Sequence, residues 1–325
     1  MCNSYFHVVA RMTGAIISRL WQKRVSAYAW AVLIALLILP FSLRPTSAAT
    51  PPHIAVISME NHGYTTIVGN SSMPFTQSLI NGNGIASITD TCHPSLPNYL
   101  SITDGSIHGC PQDTAPSDAT YSGPTLYDEL SSAGISWKAY VDGAVGNCDV
   151  NSGFGNFDVN HVPQAYYNSI RNNAAECNQI VPSGQLTTDL TAGTAPSLIW
   201  ITPNLINDMH DGTDQQGDAY LNSQVTQLRN SSWFTPGSRI LVWWDEDEGT
   251  SNEQILLISV GSSHSVTIGP ASHYGVLRGL EEAYGVGLLG HSADASVPAE
   301  GGTVGDILPL LTGAAPPPPP PPSPS

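Results

Sequence analysis

Residues 239–249 read RILVWWDEDEG. Arg239 to Trp244 form an apolar, β-branched and aromatic run of strand length, and four acidic side chains, Asp245, Glu246, Asp247 and Glu248, follow before Gly249. A run without polar alternation belongs to a strand buried on both faces, as in parallel sheets covered by helices. Two other stretches repeat the pattern: His53 to Met59 (HIAVISM) leads into Glu60-Asn61-His62, and Ser197 to Thr202 (SLIWIT) leads through Pro203 into Asn204 to Asp211 (NLINDMHD). Ile135 to Val141 and Gln254 to Val260 supply two more strands. Between them, Pro74–Asn81, Thr125–Ala133, Ala219–Leu228 and Tyr274–Tyr284 carry helical spacing. Strands alternating with helices predict an α/β fold with a mostly parallel central sheet and helices on both faces. Ligands of such sheets sit beyond the carboxyl ends of the strands, so the polar residues after three of these strands are expected to meet at one edge.

Adjacent carboxylates after a buried strand repel one another, and a cation between them relieves the repulsion. Glu60, Asn61, Asp245 and Glu246 offer oxygen donors for one divalent metal ion. Hard oxygen ligands suit calcium, magnesium or manganese, with zinc also in the set. The plain alternative for residues 245–248 is a solvated acidic turn. Thr91 to Tyr99 (TCHPSLPNY) holds Ser95 between Pro94 and Pro97. A serine fixed in a rigid turn is a candidate nucleophile wherever a metal stabilises its alkoxide. No G-x-S-x-G elbow surrounds Ser95, which counts against a Ser-His-Asp hydrolase.

The remaining sequence narrows the class. Residues 1–49 carry Arg11, Arg19, Lys23 and Arg24, an apolar run from Ala27 to Leu43, then Thr46-Ser47-Ala48-Ala49 and no acid, the pattern of a secretory signal. That run is near the lower length limit for a spanning helix, so the reading is export with no stable membrane insertion after cleavage, to a secreted or cell-wall location. Residues 50–313 form one catalytic domain, and 314–325 a proline-rich tail. After residue 50 only Lys138, Arg171, Arg229, Arg239 and Arg278 are basic against 26 acids, a charge near −21. This excludes a nucleic-acid partner, which needs a basic footprint, and leaves any phosphate chemistry dependent on a local cation. Cys92, Cys110, Cys148 and Cys177 indicate two disulfides in an exported chain. Three pairings exist, and sequence order favours Cys92–Cys110 with Cys148–Cys177.

Glu60-Asn61-His62, HPSLPNYL (93–100), PNLINDMHDG (203–212), WDEDEG (244–249) and SHYGVLRGLE (272–281) occur in an order that resembles the phosphoesterase family of bacterial acid phosphatases and phospholipases C. Within it the chain is most similar to secreted mycobacterial acid phosphatases that act on phosphatidylinositol 3-phosphate and other phosphomonoesters. The resemblance implies an alkaline-phosphatase-like fold and a metal-bound hydroxyl nucleophile. It implies Ser95 as that nucleophile, Glu60, Asn61, Asp245 and Glu246 as metal ligands, and His210 and His161 as contacts to phosphate. Asn98 is then placed to donate to a phosphoryl oxygen. Two departures stand out. His62 occupies a position often basic in relatives, and the long insertions of the phospholipases C are missing, which favours the phosphatase branch. The expectation is a secreted, metal-dependent acid phosphatase that hydrolyses small-molecule or lipid phosphomonoesters through a phosphoserine intermediate. A phospholipase C-type phosphodiesterase and a non-catalytic calcium-binding surface protein are the alternatives.

Overall fold

The computed structural model describes residues 50–150, 157–249, 254–266, 268–294 and 304–313. The expected leader (1–49) and tail (314–325) lie outside the described residues. Among the described residues no helix is long and apolar enough to cross a membrane.

Seven strands, β1 (Ile54–Met59), β2 (Gly84–Thr89), β3 (Trp137–Val141), β4 (Ile180–Pro182), β5 (Leu198–Thr202), β6 (Arg239–Trp244) and β7 (Gln254–Val260), form one sheet in the order β2-β7-β6-β1-β5-β3-β4. β1 lies at the centre and pairs in parallel with β5 and β6, with Ile54 opposite both Leu198 and Arg239. β3 and β4 continue the parallel half, and β7 runs antiparallel to both β6 and β2. Every residue of β1, β5 and β6 is buried, which is why those strands are continuous apolar runs. β2 points the same way as β6, so its carboxyl end joins those of β1, β5 and β6 at one edge.

Helices cover both faces: α1 (Pro74–Gly82), α2 (Ser95–Asp104), α3 (Leu126–Ser132), α4 (Gln185–Ala192), α5 (Asp214–Arg229), α6 (His273–Tyr284) and α7 (Leu308–Thr312). α1 packs on α5, and α2 packs on α3 and α6. Capping boxes open α3 (Thr125 with Asp128) and α5 (Thr213 with Gln216), each satisfying two otherwise orphaned N–H groups. The α/β class expected from the sequence is the class observed.

Several elements differ from expectation. The sequence reading does not include β2, β4, α4 or α7, and the segment read as a rigid turn around Ser95 is the start of α2. Pro94 is the N-cap residue and Pro97 lies in the first turn, where a missing N–H removes no helical hydrogen bond. The Leu96 N–H, free of a helical partner, donates to Asp113 Oδ1 at 3.0 Å. The disulfides join Cys92 to Cys110 and Cys148 to Cys177, with Cα separations of 6.2 and 4.9 Å, the pairing that sequence order favoured.

Candidate active site

Four strand ends deliver the site. β1 releases Glu60 and Asn61, β6 releases Asp245 to Asp247, β5 leads into the loop with Asp208 and His210, and β2 leads through Asp90 to His93 and α2. The backbone is pinned where these meet. Asp245 N–H donates to Met59 O at 3.0 Å and Glu60 N–H donates to Asp208 O at 2.9 Å. Asn61 takes a left-handed φ of 50°, and its N–H donates to Asp245 Oδ1 at 3.1 Å.

Ser95 is buried at the first position of α2, with its Oγ 3.2 Å from Glu60 Oε2 and 3.5 Å from Glu246 Oε1. One turn on, Tyr99 donates its hydroxyl to Glu60 Oε1. Asn98 is saturated. Its Oδ1 accepts from Thr91 N, Thr91 Oγ1 and Cys92 N, and its Nδ2 donates to Cys92 O at 2.6 Å and Glu246 Oε2 at 3.1 Å. Any bond from Asn98 to a phosphoryl oxygen competes with contacts already made.

Glu60, Asp208, Asp245 and Glu246 are all buried. Burial, then the charge of Asp245, holds the Glu60 carboxyl well above the usual range. Burial pushes Asp245 up to about 6, and burial together with Asp245 raises Glu246. Asn61 Oδ1 and Asp245 Oδ2 are buried with no hydrogen-bond partner. Buried polar oxygens are ordinarily satisfied, so two orphans among mutually repelling carboxylates fit a divalent cation held by oxygen donors. Among the described residues, the groups of three acidic or histidine side chains with ligand-type atoms close enough to share an ion are Glu60 with His161 and Asp208, and Asp90 with His93 and Asp247; Asp245 and Glu246 belong to neither.

The histidines divide by position. His210 lines an open cleft of about 440 Å³ with His62, His93 and Glu246. Its N–H donates to Asp208 Oδ1 and its Nδ1 lies 2.8 Å from Asp211 Oδ1. His161 is buried behind Glu60. Its Nε2 is 3.5 Å from Glu60 Oε1, its Nδ1 is 3.4 Å from Asp208 Oδ2, and its ring stacks on Tyr99. Burial disfavours its imidazolium, but Asp208, with the charges of Asp158 and Asp245, outweighs that and raises its pKa. Because its ring faces these groups and does not line the cleft, His161 supports Glu60 in this structure; the phosphate contact expected of it is not the geometry seen. His273, at the start of α6, is also buried; it lies 3.2 Å from Thr91 Oγ1 and edge-on to Trp243.

The Phosphoesterase family model matches residues 71–286. The chain belongs to the Phosphoesterase family. Its relatives include a phosphatidylinositol-3-phosphatase of Mycobacterium tuberculosis, 33% identical over 262 residues, covering 78% of this chain and 83% of that one. An acid phosphatase of Aspergillus fumigatus is 27% identical over 250 residues, covering 71% of this chain; the chain spans only 54% of that relative's length. Among solved structures, a protein in the alkaline phosphatase superfamily from Vibrio parahaemolyticus aligns over 78% of this chain and 72% of its own with a TM-score of 0.49 and 11% identity.

In this Phosphoesterase-family chain, Glu60, Asn61, Ser95, Asn98, Asp245 and Glu246 lie next to one another. Sequence reasoning underrated Tyr99 and His93. Tyr99 had a usable signal: Ser95, Asn98 and Tyr99 share one helical face, but only once α2 is known to be a helix. His93 sits with Nδ1 3.2 Å from Glu246 Oε2 and Nε2 3.3 Å from Asp90 Oδ2, contacts that depend on the unread strand β2.

Proposed function

We propose that this protein is an exported, divalent-metal-dependent phosphomonoesterase with Ser95 as its nucleophile. The observation that carries this reading is the Ser95 hydroxyl, buried within 3.5 Å of Glu60 and Glu246 beside two orphaned ligand-type oxygens. A divalent ion held by Glu60, Asn61, Asp245 and Glu246 would lower the pKa of the serine hydroxyl and neutralise charge on the phosphoryl group.

The chain's own residues do the rest. Glu60 is held by the Tyr99 hydroxyl, and Asn98 fixes Glu246 while anchoring the approach to α2. Ser95 Oγ bonds to phosphorus as the ester oxygen leaves, giving a phosphoserine that water then hydrolyses. His210, open to the cleft and backed by Asp211, protonates the departing alcohol. The relatives' names, phosphatidylinositol-3-phosphatase and acid phosphatase, support phosphomonoesters, lipid or small, as the substrates. The signal-like residues 1–49 and the two disulfides support export.

The test compares p-nitrophenyl phosphate with bis(p-nitrophenyl) phosphate as substrates of the wild type and Ser95→Ala. Monoester turnover is expected to exceed diester turnover, to vanish with chelator and return with a divalent ion, and to fall by about 10³-fold or more in Ser95→Ala with the circular dichroism unchanged. Faster diester turnover would make the protein a phosphodiesterase. Full activity in Ser95→Ala would remove the nucleophile, and activity indifferent to chelation would remove the metal.

A further inference from the structure

The rim of the cleft carries no fixed positive charge. Beside Glu246, whose charge the bound ion would neutralise, its acidic wall is Asp247 and Glu248. Every Lys and Arg after residue 50 lies among the described residues, and each is accounted for elsewhere. Lys138 Nζ is 2.7 Å from Asp189 Oδ2, and Arg239, at the amino end of β6, donates to the carbonyls of Leu310 and Ser238. Arg171 donates to Pro116 O, and Arg278 pairs with Glu282 at 3.0 Å. Arg229 ends α5, whose first residue, Asp214, is the one beside the cleft-lining His62. Fifteen residues of helical rise place it about 22 Å away.

Nor do the cleft histidines offer unclaimed charge. His62 Nε2 lies 3.2 Å from Asp214, His93 lies between Glu246, Asp90 and Asp247, and His210 faces Asp211 at 2.8 Å. Each of these rings already faces a carboxylate of this chain.

We propose that the cleft selects phosphomonoesters whose alcohol portion is neutral or cationic, and that Glu248 rejects substrates bearing a second negative group. The reading rests on the phosphomonoesterase activity proposed above and adds its substrate class. The scissile phosphate is the one anion the buried donor set can accommodate through a cation. Any further carboxylate, phosphate or phosphodiester must occupy the open part of the cleft against an acidic wall, and a built-in repulsion of this kind is a specificity device. A cleft lined by one sign of charge also focuses its field and depletes like-charged solutes.

The experiment measures kcat/KM for glycerol 3-phosphate, 3-phosphoglycerate and choline phosphate with the metal-loaded protein. The first two differ chiefly by one carboxylate. At low salt, about 0.01 M, 3-phosphoglycerate is expected to be at least tenfold poorer than glycerol 3-phosphate, with choline phosphate equal or better. The gap should narrow toward about 1 M salt, where screening is nearly complete. Glu248→Lys should narrow it at low salt by several-fold, through improved 3-phosphoglycerate turnover. Equal or better 3-phosphoglycerate turnover at low salt, or a gap insensitive to both salt and Glu248→Lys, overturns the proposal while leaving the phosphomonoesterase standing. Hydrolysis of none of the three, with p-nitrophenyl phosphate also untouched, overturns the parent reading instead.

Discussion

At the scale of single residues, Asn98 shows how a site residue can be found for an incomplete reason. Its place between Ser95 and Tyr99 in HPSLPNYL marks it in the sequence, and the expected mechanism gives it a phosphoryl oxygen to donate to. In the structure its amide makes five hydrogen bonds to Thr91, Cys92 and Glu246. Those partners come from the exit of β2 and the exit of β6, a juxtaposition that no local pattern reveals. The two roles separate by experiment. Asn98→Ala leaves backbone groups of Thr91 and Cys92 without partners, and each buried orphan costs about 1–3 kcal/mol. The variant is therefore expected to lose at least about 2 kcal/mol of stability, several degrees in Tm, together with its activity. A variant that loses turnover but melts like the wild type would assign Asn98 to the substrate alone.

At the scale of elements, legibility followed burial. β6 and β7 are legible to their last residue because each carries at least four apolar residues in succession, Ile240–Trp244 and Ile255–Ile258. β2, GIASIT, was missed because it alternates buried with half-exposed positions and is built from small residues. β4 is only three residues long, too short for a pattern. α2 was hidden by its prolines. The loop after β5 carries His210, and a packing contact with α5 holds it. Met209 takes φ 82°, a conformation unfavourable for any residue with a Cβ, and its buried side chain lies against Gly217 in α5. A Cβ on Gly217 would collide with Met209. Gly217→Ala should gain about 1 kcal/mol in helix propensity, so any loss reports on the displaced loop. Because Met209 lies between Asp208 and His210, kcat/KM is expected to fall by about tenfold or more while Tm moves by only a few degrees, since misplacement on the order of 1 Å is enough for such losses. Unchanged kcat/KM would show that the loop's position does not depend on this contact.

At the scale of the molecule, a strongly anionic chain gathers Glu60, Asp208, Asp245 and Glu246, all buried, in one place, and that makes its stability depend on pH and on metal together. Without a cation, Glu60, Asp245 and Glu246 all hold protons more tightly when folded than when unfolded. Such groups contribute stability that is present below the ordinary carboxylate range, near pH 4, and is lost as pH rises through their folded values: through about 6 for Asp245 and higher for its neighbours. Burial of Glu281 on α6, raised to about 8, adds to the same slope, as does His161. His273, pushed down to about 3 by burial, works the other way, because below pH 6.5 its unfolded form takes a proton that the folded form refuses. Several carboxyls outweigh one imidazole, so the chelated protein should melt at a lower temperature at about pH 8 than at about pH 5.5. A divalent ion that needs those carboxylates ionised reverses the dependence. At a concentration of about 100 times Kd it stabilises by about 2.7 kcal/mol, worth roughly 5–10 °C in a domain of this size, and the gain should be larger at the higher pH. Thermal scans across pH with chelator, calcium or magnesium measure both effects. A chelated protein that grows more stable toward pH 8, with a metal increment independent of pH, would mean that the buried acids of this site are not where the cation binds.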